Sequence, residues 1–324
     1  MPNIESRCNQ LKLGHPLQQV RPYNDSLNRI TMTRTPKVSL YIPAYNAATF
    51  VNTSIESLLS QTLVPDEILV IDDGSHDATV EVVSRYKEIR LIRHDRNRGL
   101  AATRNTAVRE ARNELVGSVD ADCAAAPTWL EKLVPAFEDP KIAGASGRLI
   151  EGLRDSLADR WRCVHMRMDR GEQRIHNPMF LHGCNGLYRR SALLGVGGYD
   201  EAMRKAGDDA DIGRRLGSAG WGLLHEPEAR VTHLRRDSVE SVLSSYWQWV
   251  HFGFESDQRV SRLRLHNIIR HCFLGNVRHM FWGLAFDDLR NRRFELLWID
   301  FLTLVYFPWR DLCERRRLRS QQRQ

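Results

Sequence analysis

The hydrophobic pattern of the chain is sharpest in two short runs. Residues 38–42 read Val-Ser-Leu-Tyr-Ile and residues 68–71 read Ile-Leu-Val-Ile. Each stops abruptly in polar turn residues, Pro43-Ala44-Tyr45-Asn46 after the first and Asp72-Asp73-Gly74-Ser75 after the second. Apolar runs of this length, closed by turn chemistry, predict strands buried on both faces. Between them, residues 50–61 place Phe50, Val51, Ile55, Leu58 and Leu59 on one face of a helix. Strand, helix, strand predicts a right-handed crossover that carries both polar loops to one edge of a parallel sheet. That edge is where open α/β sheets bind ligands.

The pattern continues with a helix over 78–87, a strand at Ile89–Arg93 and a segment, 95–112, that turns helical after Asn97 and Gly99. A third apolar run, Leu115–Val119, ends in Asp120-Ala121-Asp122. Two carboxylates two residues apart in a loop after a strand can share one hard divalent cation, and such a cation suits a diphosphate. Residues 129–137, with Pro127 just ahead, predict a helix, and 142–149 a strand. Residues 151–180 show no periodicity and read as irregular. Further helices are expected over 239–253, 272–286 and 296–309, the last closed by Pro308.

Composition narrows the class. The chain has 324 residues, 42% hydrophobic and 27% charged, which suits a globular domain of about 200 residues plus additions. Lys and Arg number 47 against 40 Asp and Glu, a net charge of +7. No aromatic-basic recognition motif accompanies that excess, so nucleic acid is discounted as a partner. Cysteines at 8, 123, 163, 184, 272 and 313 lack Cys-x-x-Cys spacing and form neither a zinc framework nor a disulfide scaffold; reduced thiols in a cytoplasmic compartment are expected. The N-terminus has no apolar core segment of a signal peptide, and no run of about 18 apolar residues predicts a membrane span.

The ordered set Pro43-Ala44-Tyr45-Asn46, Asp72-Asp73-Gly74-Ser75, Arg96-Asn97-Arg98-Gly99-Leu100-Ala101-Ala102-Thr103-Arg104-Asn105 and Asp120-Ala121-Asp122 resembles the family-2 glycosyltransferases. Residues 181–200, ending in Gly197-Gly198-Tyr199-Asp200, resemble the family's acceptor-side strand, helix and turn, with Tyr199 where Phe is commoner. Gly207-Asp208-Asp209-Ala210-Asp211 resembles its Glu-Asp-x-Asp pattern, Asp208 standing for the longer Glu. The resemblance implies a GT-A fold: a Rossmann-like α/β domain with a mixed, mostly parallel sheet flanked by helices. It implies that Pro43, Ala44, Tyr45 and Asn46 lie by the nucleotide, that Asp72 or Asp73 accepts a hydrogen bond from uracil or ribose, and that Arg104 and Asp120 sit nearby. Asp122 and Asp120 would hold Mg²⁺ or Mn²⁺, with His233 beside them on the metal or diphosphate.

Asp209 aligns with the family's catalytic base, and a carboxylate suits that role if neighbouring like charge raises its pKa. Asp211 is expected to cap or orient a helix from Ile212. Asn185, Asp208, Arg189 and Arg190 fall where sugar or phosphate contacts are expected, with Arg235, Arg236 and Ser238 as further phosphate candidates. Residues 151–180 fall where the family shapes its acceptor site. The expected activity is inverting transfer from a nucleotide-diphospho-sugar, a UDP-sugar by preference, to a hydroxyl of a glycan or lipid-linked acceptor in cell-envelope polysaccharide synthesis.

Two rivals stand beside it. A nucleotidyltransferase would want a glycine-rich, lysine-bearing loop at the first strand, where Pro43-Ala44-Tyr45-Asn46 stands instead. A non-catalytic relative that binds glycans or scaffolds a membrane complex would not need Asp120, Asp122 and Asp209 together. The expected organisation is a polar extension over 1–35, a transferase domain over 36–237 and a C-terminal helical region over 238–324. In the last, aromatic-rich helices run into Arg310, Arg315, Arg316, Arg317, Arg319 and Arg323. That suits peripheral contact with an anionic membrane, at the inner face of the plasma membrane.

Overall fold

The computed structural model describes residues 36–203, 207–252 and 280–321. The polar extension over 1–35 and the part of the expected 272–286 helix before Met280 lie outside them. The described residues fall into two compact units: one built from 36–152, 168–203 and 208–235, the other from 153–167, 207, 236–252 and 280–321.

The first unit is a mixed sheet with helices on its faces. In chain order its elements are β1 (Val38–Ala44), α1 (Val51–Leu59), β2 (Glu67–Asp72), α2 (Thr79–Val83), β3 (Ile89–Arg93), α3 (Leu100–Glu110), β4 (Leu115–Val119), β5 (Cys123–Ala125), α4 (Trp129–Leu133), β6 (Ile142–Glu151), β7 (Ile175–His176), β8 (Asn185–Arg189), α6 (Arg190–Gly195), α7 (Asp208–Ser218) and β9 (Gly222–His233), with α5 (Leu157–His165) falling in the second unit. The strand order is β3-β2-β1-β4-β8-β6-β9-β5, and β7 pairs with β9. The β3-β2-β1-β4 half is wholly parallel. β8 then runs antiparallel to both β4 and β6, while β6 and β9 are parallel.

β1 is buried at every position, as its unbroken apolar run requires of a central parallel strand. One face of the sheet packs Leu40, Ile42, Val51, Ile55 and Leu58, the other Tyr41, Leu69, Ile71 and Tyr188. The carboxyl ends of β1, β2 and β4 place residues 43–46, 72–75 and 120–122 at one edge.

The second unit holds α5, α8 (Val239–Phe252), α9 (Phe286–Arg290) and α10 (Leu297–Gln321). Its core joins Trp161, Tyr246, Trp247, Ile299 and Phe307. Two expectations are corrected here. Residues 151–180 are not all irregular: Ser156 and Asp159 form a reciprocal capping box that opens α5. Pro308 does not close the last helix, which continues to Gln321. A mid-helix proline forfeits a backbone hydrogen bond, but inward contacts on both sides, Phe307 before it and Asp311 after it, carry the helix through.

Candidate active site

The first two loops are laced together. Asn46 adopts a left-handed φ of 50° and takes the Ser75 hydroxyl on its backbone N–H at 2.9 Å, while its side-chain oxygen accepts from the His76 N–H at 3.0 Å. The N–H of Ala47 donates to Thr79 at 2.8 Å, and that of Ala48 to Asp77 at 3.1 Å. Tyr45 is left 46% exposed at the mouth, the one ring of this loop that faces solvent.

Asp72 and Asp73 both turn inward. Asp72 lies against the Arg93 guanidinium at 3.2 Å and accepts from the Ser75 N–H. Asp73 accepts from the N–H groups of Arg98 and Gly99 at 2.9 and 2.8 Å and meets His94 Nδ1 at 2.7 Å. These N–H groups open α3, so Asp73 anchors that helix at its positive end.

The centre of the site is Arg104, buried at 2% exposure on α3. Its Nη1 donates to Asp208 Oδ2 at 2.5 Å and to Asp209 Oδ1 at 2.7 Å, and its Nη2 stands 3.9 Å from Asp120. The other Asp209 oxygen accepts from the Gly183 N–H at 2.9 Å. Tyr199 lies under the guanidinium, 5.5 Å from ring centre to Cζ. One buried cation therefore gathers acids from the loop after β4 and from the N-terminus of α7. Burial pushes the Asp209 carboxyl up to about 6, against the opposing pull of Arg104 and with help from Asp208. Burial likewise pushes Asp120 up to about 7, opposed by Arg104 and aided by Asp122 and Asp209.

The third group lies beside it. β5 pairs Cys123 with His233 of β9, which brings His233 Nε2 to 3.4 Å from Asp122 Oδ2. Glu151 holds the opposite ring nitrogen at 3.1 Å. Burial lowers the His233 pKa, but the two carboxylates outweigh it and raise it to about 10. His233 thus balances Asp122 as a protonated ring, and holding a divalent cation would require it to release that proton, since only a neutral imidazole ligates. The donor set fits a hard divalent cation. One oxygen of Asp120 is buried and accepts no hydrogen bond among the described residues, Asp122 is adjacent, and an imidazole stands fixed by a carboxylate behind it. Cys123 stands with Asp122 and His233, their ligand atoms all within 4.8 Å of one another, but a sulfur donor is soft and mismatched to a hard divalent cation.

Several expected contacts are elsewhere. Asn185 is wholly buried, with its oxygen accepting from the Trp129 indole at 2.7 Å and the Gly147 N–H at 3.2 Å, so its oxygen clamps β8 to α4 and β6, while its amide nitrogen has no hydrogen-bond partner among the described residues. Arg189 donates to the carbonyls of Ile142 and Phe137, and Arg190 to those of Val108 and Arg109 at the end of α3; both satisfy carbonyls, as a cation at a helix C-terminus does. Ser238 makes reciprocal hydrogen bonds with Ser241 ahead of α8, and Arg236 faces Asp155. Asp211 sits inside the first turn of α7, not before it, and binds Arg214 and Arg215. Sequence reasoning missed Gly183, Asn105 and Glu151. Asn105 exchanges two 2.8 Å hydrogen bonds with the backbone of Tyr199, fixing the ring under Arg104. Its place beside Arg104 in the motif was the available signal.

Residues 39–196 match the model for glycosyl transferase family 2. That stretch, just under half of the chain, carries the family's domain. It is 31% identical over 219 residues to the pre-mycofactocin glycosyltransferase of Mycobacterium tuberculosis, covering 64% of this chain and 44% of the relative. It is 34% identical over 129 residues to chondroitin synthase of Escherichia coli, covering 37% of this chain and 19% of the relative. The chain thus spans less than half the length of each. Among solved structures it resembles the mannosyltransferase PcManGT of Pyrobaculum calidifontis, in complex with GDP-Man and Mn²⁺, at 23% identity and a TM-score of 0.53, covering 68% of this chain and 64% of that one. It also resembles GalNAc-T7 with UDP, GalNAc and Mn²⁺, at 18% identity and a TM-score of 0.51, covering 68% and 48%. These likenesses show the GT-A fold.

Proposed function

We propose that this chain, with its family-2 domain, is a metal-dependent, inverting glycosyltransferase. It would move a sugar from a nucleotide-diphospho-sugar, by preference a UDP-sugar, to a hydroxyl of a glycan or lipid-linked acceptor in envelope polysaccharide synthesis. The observation that carries this reading is the juxtaposition of Asp209, clamped by Arg104, with the Asp120, Asp122 and His233 set. The machinery falls within 36–237, with 238–324 as an accessory region. A cytoplasmic enzyme is the corresponding reading, since its donors are made there.

Asp209 is the base. It takes the acceptor hydroxyl's proton as that oxygen attacks the anomeric carbon, and a carboxyl raised to about 6 accepts a proton far better than an ordinary one. Arg104 and the Gly183 N–H fix its two oxygens, each of which keeps a lone pair for the incoming hydroxyl. Asp208 shares Arg104 and adds like charge. Mg²⁺ or Mn²⁺ held by Asp120, Asp122 and His233 would neutralise the leaving nucleoside diphosphate. Pro43 to Asn46 supply the wall on which the base would rest, with Tyr45 exposed for stacking. Asp72 and Asp73 shape that wall from behind through Ser75, Arg98 and Gly99. Inversion follows from the family pattern around Asp209.

The test is nucleoside diphosphate release. Purified protein is given UDP-, GDP- and dTDP-sugars with Mn²⁺, Mg²⁺ or EDTA. Release from a UDP-sugar that EDTA abolishes is expected. Release indifferent to EDTA refutes the metal's role, and calorimetry showing no nucleotide binding would bring forward the non-catalytic binding relative.

A further inference from the structure

α10 is amphipathic in the unusual sense. Its acids are Asp300, Asp311 and Glu314, and all of them are buried. Asp300 accepts from the Trp161 indole at 2.7 Å and Asp311 from the Trp247 indole at 2.8 Å. The outward face carries Trp298, Phe301, Val305, Trp309 and Leu312 instead, at 64, 47, 73, 52 and 45% exposure. Steps of three and four residues put these side chains in one stripe, about 21 Å long at the α-helical rise. Just before the helix, Phe294 is 61% exposed. Single exposed apolar residues are ordinary; a contiguous aromatic stripe that displaces every acid inward marks a surface with a partner.

We propose that this outward face of α10 is a membrane-docking surface, seating its aromatic stripe in the interfacial layer of an anionic lipid bilayer. Charge complementarity selects this occupant. The sequence of α10 places arginines at 310, 315, 316, 317 and 319 in its C-terminal half. Arg316, exposed, continues the stripe about two turns beyond Trp309, while Arg310 lies over Trp247 and Trp309 and Arg317 pairs with Glu314. No acid of the helix is exposed among its described residues. Arginines beside tryptophans suit a headgroup layer of negative charge. A second copy seated stripe to stripe would bring no acid to meet those arginines. No described helix is long and apolar enough to cross a membrane, so the helix lies on the surface. The purpose of this docking, delivery of a lipid-linked acceptor, rests on the transferase reading; its existence does not.

The full chain is sedimented with vesicles of phosphatidylcholine alone and with vesicles that also contain phosphatidylglycerol, at low and high salt. Binding is expected to the anionic vesicles and to weaken with salt. The triple variant W298S/F301S/W309S should bind about tenfold or more weakly at an unchanged melting temperature. Val305→Asp, at the most exposed position of the stripe, should weaken binding in the same direction even if the triple variant folds poorly. No binding of the unmodified chain, or equal binding by Val305→Asp, overturns the proposal. So does a dimer that Val305→Asp converts to a monomer without any lipid binding in the unmodified chain. Sedimentation reads no turnover, so a negative result here leaves the transferase reading where it stands, and a failed transferase assay leaves the docking surface untouched.

Discussion

At the scale of single residues the site turns on how Arg104 divides itself. One guanidinium holds Asp208 and Asp209 directly and Asp120 at longer range, so neither acid group is free to move without the other. Asp209→Asn keeps the shape and removes the base. Transfer should fall by about 10²–10⁴-fold, the range typical of general-base loss, while nucleotide affinity holds. Unimpaired turnover would remove Asp209 from that role. Gly183→Ala tests the clamp itself. A Cβ there would stand 2.2 Å from Arg104 Nη2 and so push the guanidinium off the acids. Turnover should drop and its acid limb, set by a carboxyl near 6, should shift; a crystal structure of the Gly183→Ala variant with Arg104 still in place would refute the crowding argument.

At the scale of elements, β6 shows how closely the sheet is fitted. Its register slips between Gly147 and Arg148, and a Cβ on Gly147 would lie 1.9 Å from the Ala229 carbonyl oxygen of β9. Gly147→Ala forces two backbones apart. It should cost about 2–3 kcal/mol, at the upper end of overpacking, which urea denaturation can read. A change under about 0.5 kcal/mol, the scale of a neutral surface substitution, would show that the strands slide freely.

Much of this level was readable in the chain. Buried parallel strands announce themselves as unbroken apolar runs, so β1, β2 and β4 and the acids at their ends were legible. What sequence could not show is where a long side chain reaches. Arg189 and Arg190 look like phosphate ligands in one dimension and prove to be caps on carbonyls. Asn185 looks like a polar contact and is wholly enclosed. The inward turn of Asp300, Asp311 and Glu314 was hidden for the same reason: Trp161 and Trp247, the partners of the two aspartates, are 139 and 64 residues away.

At the scale of the whole molecule, titration sets two groups of residues against each other. His182 is held down to about 3 and His225 to about 4, in each case first by burial and then by the Arg170 cation. Both are neutral in the fold but take a proton near 6.5 when unfolded. A depressed folded pKa contributes stability that is whole above 6.5 and lost as pH falls toward the folded value. At pH 5 that loss is about 2 kcal/mol for each imidazole. Asp120 and Asp209 act with the opposite sign: raised to about 7 and 6, they are strained when charged and relieved on acidification, so their contribution is present at low pH and lost as pH rises through those values. The unmodified chain therefore sums two opposed slopes, and its own pH profile is flatter than either. The double variant H182Q/H225Q removes one slope and leaves the other. Measured in EDTA by urea denaturation, it should lose less stability than the unmodified chain between pH 7.5 and 5, whatever the substitutions cost at both pH values. Parallel profiles would mean that the two imidazoles titrate normally in the fold and that Arg170 and burial do not hold them neutral.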